Sequence, residues 1–255
     1  MLDALAHSDY YILILFAVSV LTGFVGSMGG SGGLIITPFM IATGLPPQMA
    51  IGTTRVSSIG VWIITLLTFK KAKQIQWEYT PVLSVLSLTG GLIGTTITLS
   101  IPEQWIYLIV GTVLVALAPL ALLNKDFGIN RRDTLPRHKY TGYFLYFLVS
   151  VFGGFFGGGA GLLAIFTLVH FLGIRTLEAH ATDIIPWLLL VLASSVLFIW
   201  FGQVNYSYIA AIFTGMALGG KIGSSLAVKK GNQWVKVFVC TFAALAGVKL
   251  LFFSS

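Results

Sequence analysis

Long apolar runs separated by short polar turns account for most of the chain. About 20 apolar residues are enough to cross the hydrocarbon core of a bilayer as a helix. Another apolar run, residues 10–26, follows an N-terminus without the basic region of a cleaved signal peptide, so we expect it to remain in the mature protein. Six further runs have lightly polar ends and are near spanning length: residues 54–69, 80–99, 105–123, 184–201, 207–220 and 235–253.

The composition agrees with this pattern. Of the 255 residues, 56% are hydrophobic and only 9% are charged, and the mean hydropathy is +0.93. A soluble domain carries about 25% charged residues. The sequence therefore predicts an all-α polytopic membrane protein. Its single cysteine, Cys240, excludes an intrachain disulfide and a cysteine metal cluster.

A glycine-rich segment interrupts the apolar sequence twice. The first crease covers residues 23–33 and the second covers residues 153–161, and a short apolar run follows each one. Glycine opens the backbone and lets another helix or a ligand approach closely. Unpaired backbone at membrane depth is tolerated where it is buried in protein or lines a cavity. We therefore expect the two creases to form the walls of one site.

The second half of the chain repeats the first at a fixed offset of 129 residues. The offset predicts a first repeat over 1–123, a polar and basic linker over 124–139, and a second repeat over 140–255. We expect the repeated glycines after the creases to allow close helix packing. The matching pairs are Ala50 and Ala179, Thr53 and Thr182, Gln74 and Gln203, Gly90 and Gly219, Gly91 and Gly220, Gly94 and Gly223, and Trp105 and Trp234.

The net charge of +7 is concentrated in short loops, which argues for membrane orientation and against binding of nucleic acid. The basic loop at 70–73 corresponds to the uncharged loop at 202–205. The loop at 100–103 has no basic residue, whereas its counterpart ends at the lysines 229 and 230. Short basic loops mark the cytoplasmic side, so equivalent loops lie on opposite faces. The halves therefore have inverted topology.

Inversion requires an odd number of membrane crossings in each half. Each half has three clear spanning helices, so the glycine-rich crease must enter and leave on one side as a hairpin with one short arm. The fold expected is thus two inverted repeats, each a creased hairpin plus three spanning helices. The N-terminus and the C-terminus then both lie outside.

The short arms predict an anion site. Each is about ten or eleven residues long, roughly half the thickness of a bilayer core, and begins near residues 34 and 162. A helix N-terminus carries free N–H donors and about half a positive charge, so two facing N-termini can hold an anion. The alternative is that the glycines only permit tight packing. The candidate substrate-binding residues are Gly29, Gly30, Gly32, Gly33, Gln48, Met49, Thr53, Thr54, Gly158, Gly159, Gly161, Thr182 and Lys221.

Four ionisable residues within the apolar sequence are candidates for function, because charge at membrane depth must be paired or hydrated. Lys221 either adds a cation beside the anion or pairs with Asp183. Arg55 either gates the substrate or extends toward the membrane surface. His180 and Asp183 lie three residues apart on one helix face and either relay a coupling proton or cap the helix. The six tryptophans mostly fall near segment ends, as interface anchors do.

At this point the chain resembles the TauE/SafE family of sulfite and organosulfonate exporters. The resemblance covers nearly the whole chain and rests on the glycines of residues 26–33 and 157–161, on residues 46–54 with their echo at 178–183, and on Gly90–Gly91 with Gly219–Gly220. It implies a permease of the bacterial inner membrane that exports sulfite, a sulfonate or another small anion. The partners implied are the small anion and the lipid bilayer, without a cofactor.

Three other functions stay open from the residues alone. A carrier or channel for another small anion fits the same site. A divalent-cation permease would need carboxylates, of which Asp183 is the available one. An intramembrane enzyme would use His180, Asp183 and Glu178, but no nucleophile–base spacing or metal-binding helix supports it. The sequence therefore favours a secondary transporter that is not an enzyme, and it leaves a homodimer open.

Overall fold

The computed structural model describes residues 10–29, 32–102, 104–106 and 139–231. Eight helices of ten or more residues lie in this part of the chain. The expected all-α architecture is confirmed, and α1, α3, α4, α7 and α8 are long and apolar enough to cross a membrane. The helices are α1 (Tyr11–Gly29), α2 (Gly33–Ala42), α3 (Pro47–Lys71), α4 (Thr80–Ser100), α5 (Lys139–Phe155), α6 (Ala160–Leu172), α7 (Thr176–Trp200) and α8 (Tyr206–Lys230).

Glycine and proline set the ends of the short arms. The short helix α2 ends at Ala42 and is followed by Gly44 with a φ of 95°, and α3 then begins at Pro47. Proline suits the first position of a helix because its missing N–H has no partner there in any case. The short helix α6 ends at Gly173 with a φ of 68°, in the left-handed region that favours glycine. The expected short arms are therefore present after both creases.

Four of the predicted spanning runs coincide with α3, α4, α7 and α8. The runs 105–123 and 235–253 lie almost entirely outside the described residues, as do the linker 124–138 and Cys240. The division into repeats at 1–123 and 140–255 therefore stays a prediction.

Helices of one half pack mainly on helices of the other. α1 packs against α8 and α5 against α4, while α3 contacts α8 and α7 contacts α4. Glycines allow this approach at equivalent places. A Cβ built on Gly90 would lie 3.1 Å from the backbone nitrogen of Val151, and one on Gly219 would lie 2.7 Å from that of Phe24. The duplicated glycines therefore each admit a helix from the opposite half.

The two central helices, α3 and α7, contact each other and run antiparallel. Near the start of α3, the Thr53 hydroxyl accepts a hydrogen bond of 2.9 Å from the backbone N–H of Asn205, just beyond the end of α7. Near the start of α7, the Thr182 hydroxyl accepts one of 2.9 Å from the N–H of Gln76, just beyond the end of α3. The loops that follow these helices therefore lie at opposite ends of the pair. The orientation of each half relative to a membrane stays a prediction.

Candidate functional site

A buried cavity of about 60 Å³ lies where the two creases meet. Its walls come from α1, the start of α2, the first half of α3, the second crease and single residues of α7 and α8. By the same measure one water needs ~10–15 Å³, so the cavity has room for a few waters or one small ion. Several hydroxyls line it, from Thr22, Ser27, Thr37, Thr54, Ser58 and Thr65.

The two creases contact each other beside this cavity. A Cβ built on Gly33 would lie 3.2 Å from Cα of Gly158, so the backbones approach to a distance that side chains would prevent. Gly157 and Gly159 have φ values of 83° and 81°, which turn the chain sharply into α6. Neither α2 nor α6 has a side-chain cap at its N-terminus. The helix ends that the sequence predicted to face one another therefore meet in the structure.

Arg55 is the charged residue of the cavity wall. It lies on α3, has 6% of its surface exposed, and one terminal nitrogen donates to the carbonyls of Gly153 and Gly154 at the end of α5. Its Nε is buried without a hydrogen-bond partner. The guanidinium also lies against Gly157, where a Cβ would come within 2.9 Å of Cζ. No carboxylate pairs with Arg55 in the part of the chain that the structure describes.

Two tryptophans form an aromatic wall of the cavity. Trp62 of α3 and Trp187 of α7 stack with ring centroids 6.0 Å apart and an angle of 12° between the planes. Trp187 has 3% of its surface exposed. The expectation that tryptophans act as interface anchors is therefore wrong for these two, because their rings fill the space between the central helices.

Four of the predicted site residues line the cavity, namely Gly32, Gly33, Thr54 and Arg55. The Thr54 hydroxyl accepts a hydrogen bond of 3.2 Å from Thr37 and donates to the carbonyl of Ala50. Among the remaining glycines, Gly29 is buried at the end of α1, Gly159 caps α6, and Gly161 is buried in its first turn. Gly158 touches Gly33, and Gly30 lies outside the described residues.

Four predicted polar or flexible residues lie away from the cavity. The amide nitrogen of Gln48 donates to the carbonyls of Thr98 and Ile101 at 2.9 and 3.1 Å, and so caps the end of α4. Thr53 and Thr182 hold the loops already described. Met49 is half-buried on α3. A direct contact of these residues with substrate thus stays a prediction that this geometry does not favour.

The predicted pair of Asp183 with Lys221 is not formed. Asp183 has 3% of its surface exposed and accepts a hydrogen bond from the Tyr146 hydroxyl of α5. Lys221 lies on the exposed side of α8, beside Leu218 and Ile222, and does not reach the cavity. The buried face of α8 is marked instead by its glycines, which pack against α1 and α3.

His180 contacts the first crease. Its Nε2 lies 2.8 Å from the carbonyl oxygen of Ser27, to which it donates, and its ring makes an edge contact with Phe69. His180 and Arg55 thus bond the carbonyl ends of α1 and α5 respectively, each from a central helix of the other half. No group of three or more metal-ligating side chains occurs among the described residues.

Sequence reasoning missed Gly157, Trp62, Trp187 and Tyr146. A signal for Trp187 was present, because it stands 129 residues after Ser58, where the duplication pairs a large ring with a small hydroxyl. The positions at which the two copies differ in size or charge thus mark the site better than those at which they agree.

Comparison with known proteins assigns the family. The profile of the sulfite exporter TauE/SafE family matches residues 15–250. A probable membrane transporter protein of Haemophilus influenzae is 24% identical, over 94% of each chain. The probable membrane transporter protein YfcA of Escherichia coli K12 is 25% identical, over 94% of this chain and 89% of its own.

A third relative, the probable membrane transporter protein YunE of Bacillus subtilis, is 24% identical over 94% of this chain and 97% of its own. No solved structure matches the chain at a significant level. The family profile covers nearly the whole chain, and its relatives match over nearly their whole length. The chain therefore belongs to the TauE/SafE sulfite exporter family and is a multi-pass membrane transporter.

Proposed function

We propose that the protein is a secondary transporter that exports a small sulfur oxyanion, sulfite or an organosulfonate, across the bacterial inner membrane. The anion is held in the cavity between the two creases. The observation that carries the proposal is the buried Arg55, which lines this cavity without a carboxylate partner among the described residues.

The electrostatics of the cavity favour an anion. A charge buried at membrane depth is unfavourable unless it is paired or hydrated, and a bound oxyanion would pair the guanidinium. Arginine also suits planar, multidentate contacts with oxyanions. The uncapped N-termini of α2 and α6 and the hydroxyls of Thr54 and Ser58 add hydrogen-bond donors and positive potential. These features are unfavourable for a divalent cation.

The unequal halves suggest how transport proceeds. The cavity extends along α3 of the first half, whereas the equivalent region of α7 is filled by Trp187 and lies beside Tyr146. Movement of one repeat against the other by alternating access would open the site to each side of the membrane in turn. A carrier or channel for another small anion is the second candidate, because the cavity recognises charge and size rather than sulfur.

The test is flux of ³⁵S-labelled sulfite from liposomes that contain the purified protein. Arg55→Gln removes the buried cation but keeps a polar side chain. Loss of one partner of a buried charge pair costs about 2–5 kcal/mol, so we expect flux to fall by about 100-fold or more. Lys221→Gln is the matched control, because this cation is exposed and away from the cavity, and it should transport at nearly the original rate.

Competition by unlabelled anions in the same liposomes ranks the substrates. Sulfite and small sulfonates should compete, and chloride should compete weakly. If Arg55→Gln transports as well as the original protein, the site is elsewhere. If chloride or another inorganic anion competes best, the second candidate replaces sulfur oxyanion export.

A further inference from the structure

We infer that Asp183 is a proton-binding site linked to the anion cavity, so that the transporter carries one proton together with each monovalent anion. This inference rests on the proposed function and adds to it the identity of the coupled ion. It follows from the placement of Asp183 behind the cavity wall and from the balance of buried charge.

Asp183 lies directly behind the wall of the cavity. Trp187 lines the cavity, and Asp183 is one helical turn before it on the same face of α7. Its equivalent in the first half, 129 residues earlier, is Thr54, which lines the cavity itself. The carboxyl thus occupies the position that corresponds to a cavity hydroxyl, and Tyr146 covers it from α5.

Few other ionisable groups face Asp183. Among the helices packed against α7, α4 contains no titratable side chain, and α6 contributes His170, which is exposed. On α5 the Tyr146 hydroxyl faces the carboxyl, whereas Lys139 lies at the far end beside Glu78. The remaining groups are Arg55, Lys70 and Lys71 of α3, of which the two lysines are exposed, and His180 and Glu178 of α7, with His180 bonded to Ser27 and Glu178 half-buried in the first turn.

Arg55 and Asp183 are thus the two buried side chains of opposite formal charge in the part of the chain described. With the cavity empty, Arg55 as a cation and Asp183 as a carboxylate give zero net charge. A bound monovalent anion makes this sum negative, which is unfavourable in a membrane interior. Protonation of Asp183 restores neutrality. The anion and the proton therefore bind together, and both the empty and the loaded carrier are neutral.

This linkage distinguishes Asp183 from His180, the other residue of the expected proton relay. His180 uses its Nε2–H to bond the Ser27 carbonyl at the end of α1. That bond is formed by a neutral ring and requires no charge change during transport. The proton is therefore held at the Asp183 carboxyl, with the Tyr146 hydroxyl as its hydrogen-bond donor.

The first experiment measures proton uptake when the purified full-length protein binds methanesulfonate in weakly buffered detergent solution. This sulfonate stays ionised throughout the pH range used, so any proton taken up goes to the protein. We expect about one proton per bound anion, and an affinity that weakens as the pH rises. Asp183→Asn should bind the anion without proton uptake and with an affinity independent of pH. Glu78→Gln, an exposed carboxylate changed in the same way, should behave as the original protein.

The second experiment measures methanesulfonate flux in liposomes under a membrane potential set by potassium and valinomycin. The original protein should be insensitive to the potential, because it carries no net charge. Asp183→Asn should respond to it, because this variant carries the anion alone. Tyr146→Phe provides a test if Asp183→Asn fails to fold. Loss of a donor that favours the carboxylate should move the pH midpoint of anion affinity upward.

The outcomes separate this inference from the proposed function. If the original protein binds and transports anions without proton uptake, or if Asp183→Asn still takes up a proton, the inference is wrong while anion transport stands. An unchanged pH midpoint in Tyr146→Phe would also place the proton elsewhere. If the original protein neither binds nor transports methanesulfonate or sulfite, both proposals fail together.

Discussion

The central helices α3 and α7 are copies of one another that have kept some positions and changed others. Thr53 and Thr182 occupy the same place in the repeat and make the same hydrogen bond, each to the loop that follows the other helix. One residue further, the copies differ, with Thr54 in α3 and Asp183 in α7. The next pair is Arg55 and Ile184, and one turn later Ser58 faces the cavity where α7 has Trp187.

This comparison separates scaffold from site. Positions that the copies share hold the two halves together, because a contact made twice in exchange must suit both halves. Positions that differ have placed a cation and a cavity in one half, and a carboxyl and a large ring in the other. The three predictions that follow test this division, in order of expected effect.

The largest effect is expected from making α3 resemble α7 at the cavity. Ser58→Trp places an indole in a space of about 60 Å³. We expect sulfite flux to fall by about 100-fold, which corresponds to roughly 2.7 kcal/mol of lost binding. The measurement is flux in liposomes, with monodisperse behaviour in detergent as the check on folding. Ser57→Ala, at a buried position outside the cavity, is the control, and normal flux in Ser58→Trp would show that the cavity is not on the path.

A smaller effect is expected where the creases touch. Gly33→Ala adds a Cβ that would lie 3.2 Å from Cα of Gly158, so the two backbones must separate slightly. We expect anion affinity to fall about tenfold, or ~1.4 kcal/mol. The matched control is Gly60→Ala, whose Cβ would lie 3.0 Å from the ring of Phe213, away from the cavity. If both variants bind alike, the crease glycines serve packing alone.

The smallest effect is expected from the shared positions. Thr53→Val and Thr182→Val each leave a backbone N–H without its acceptor, which should lower the free energy of unfolding by about 1 kcal/mol. Both variants should transport normally, and their losses should be similar. Denaturant unfolding in detergent measures this, with Thr89→Val at an exposed position as the control. A transport defect with unchanged stability would return these hydroxyls to the anion site.

Much of the fold was predictable because the signals were local. Apolar runs, the two creases and the Pro46–Pro47 turn locate α2, α3, α4, α7 and α8 without any knowledge of tertiary contacts. The meeting of the creases also followed, since unpaired backbone in a membrane must find cover. These inferences depend on composition and spacing alone.

The face that each side chain presents was harder to predict. Helical rise gives the depth of Lys221, but its direction depends on which side of α8 meets α1 and α3. The glycines at 219, 220 and 223 marked that side, and Lys221 lies off it. The contact of Arg55 with the second crease depends on a pairing of distant segments, and so does that of Tyr146 with Asp183. No local pattern encodes such pairings.

The interleaved packing has a consequence for how the protein is made. α1 packs mainly on α8, whose first residue is synthesised about 195 residues after the start of α1. At ≈ 5–20 residues per second, the first helix therefore waits about 10–40 s in the membrane before its main partner exists. Its exposed glycine-rich face must be shielded by lipid or by the insertion machinery during that interval. Assembly of the transporter is thus a late event, completed only when the second half has followed the first into the bilayer.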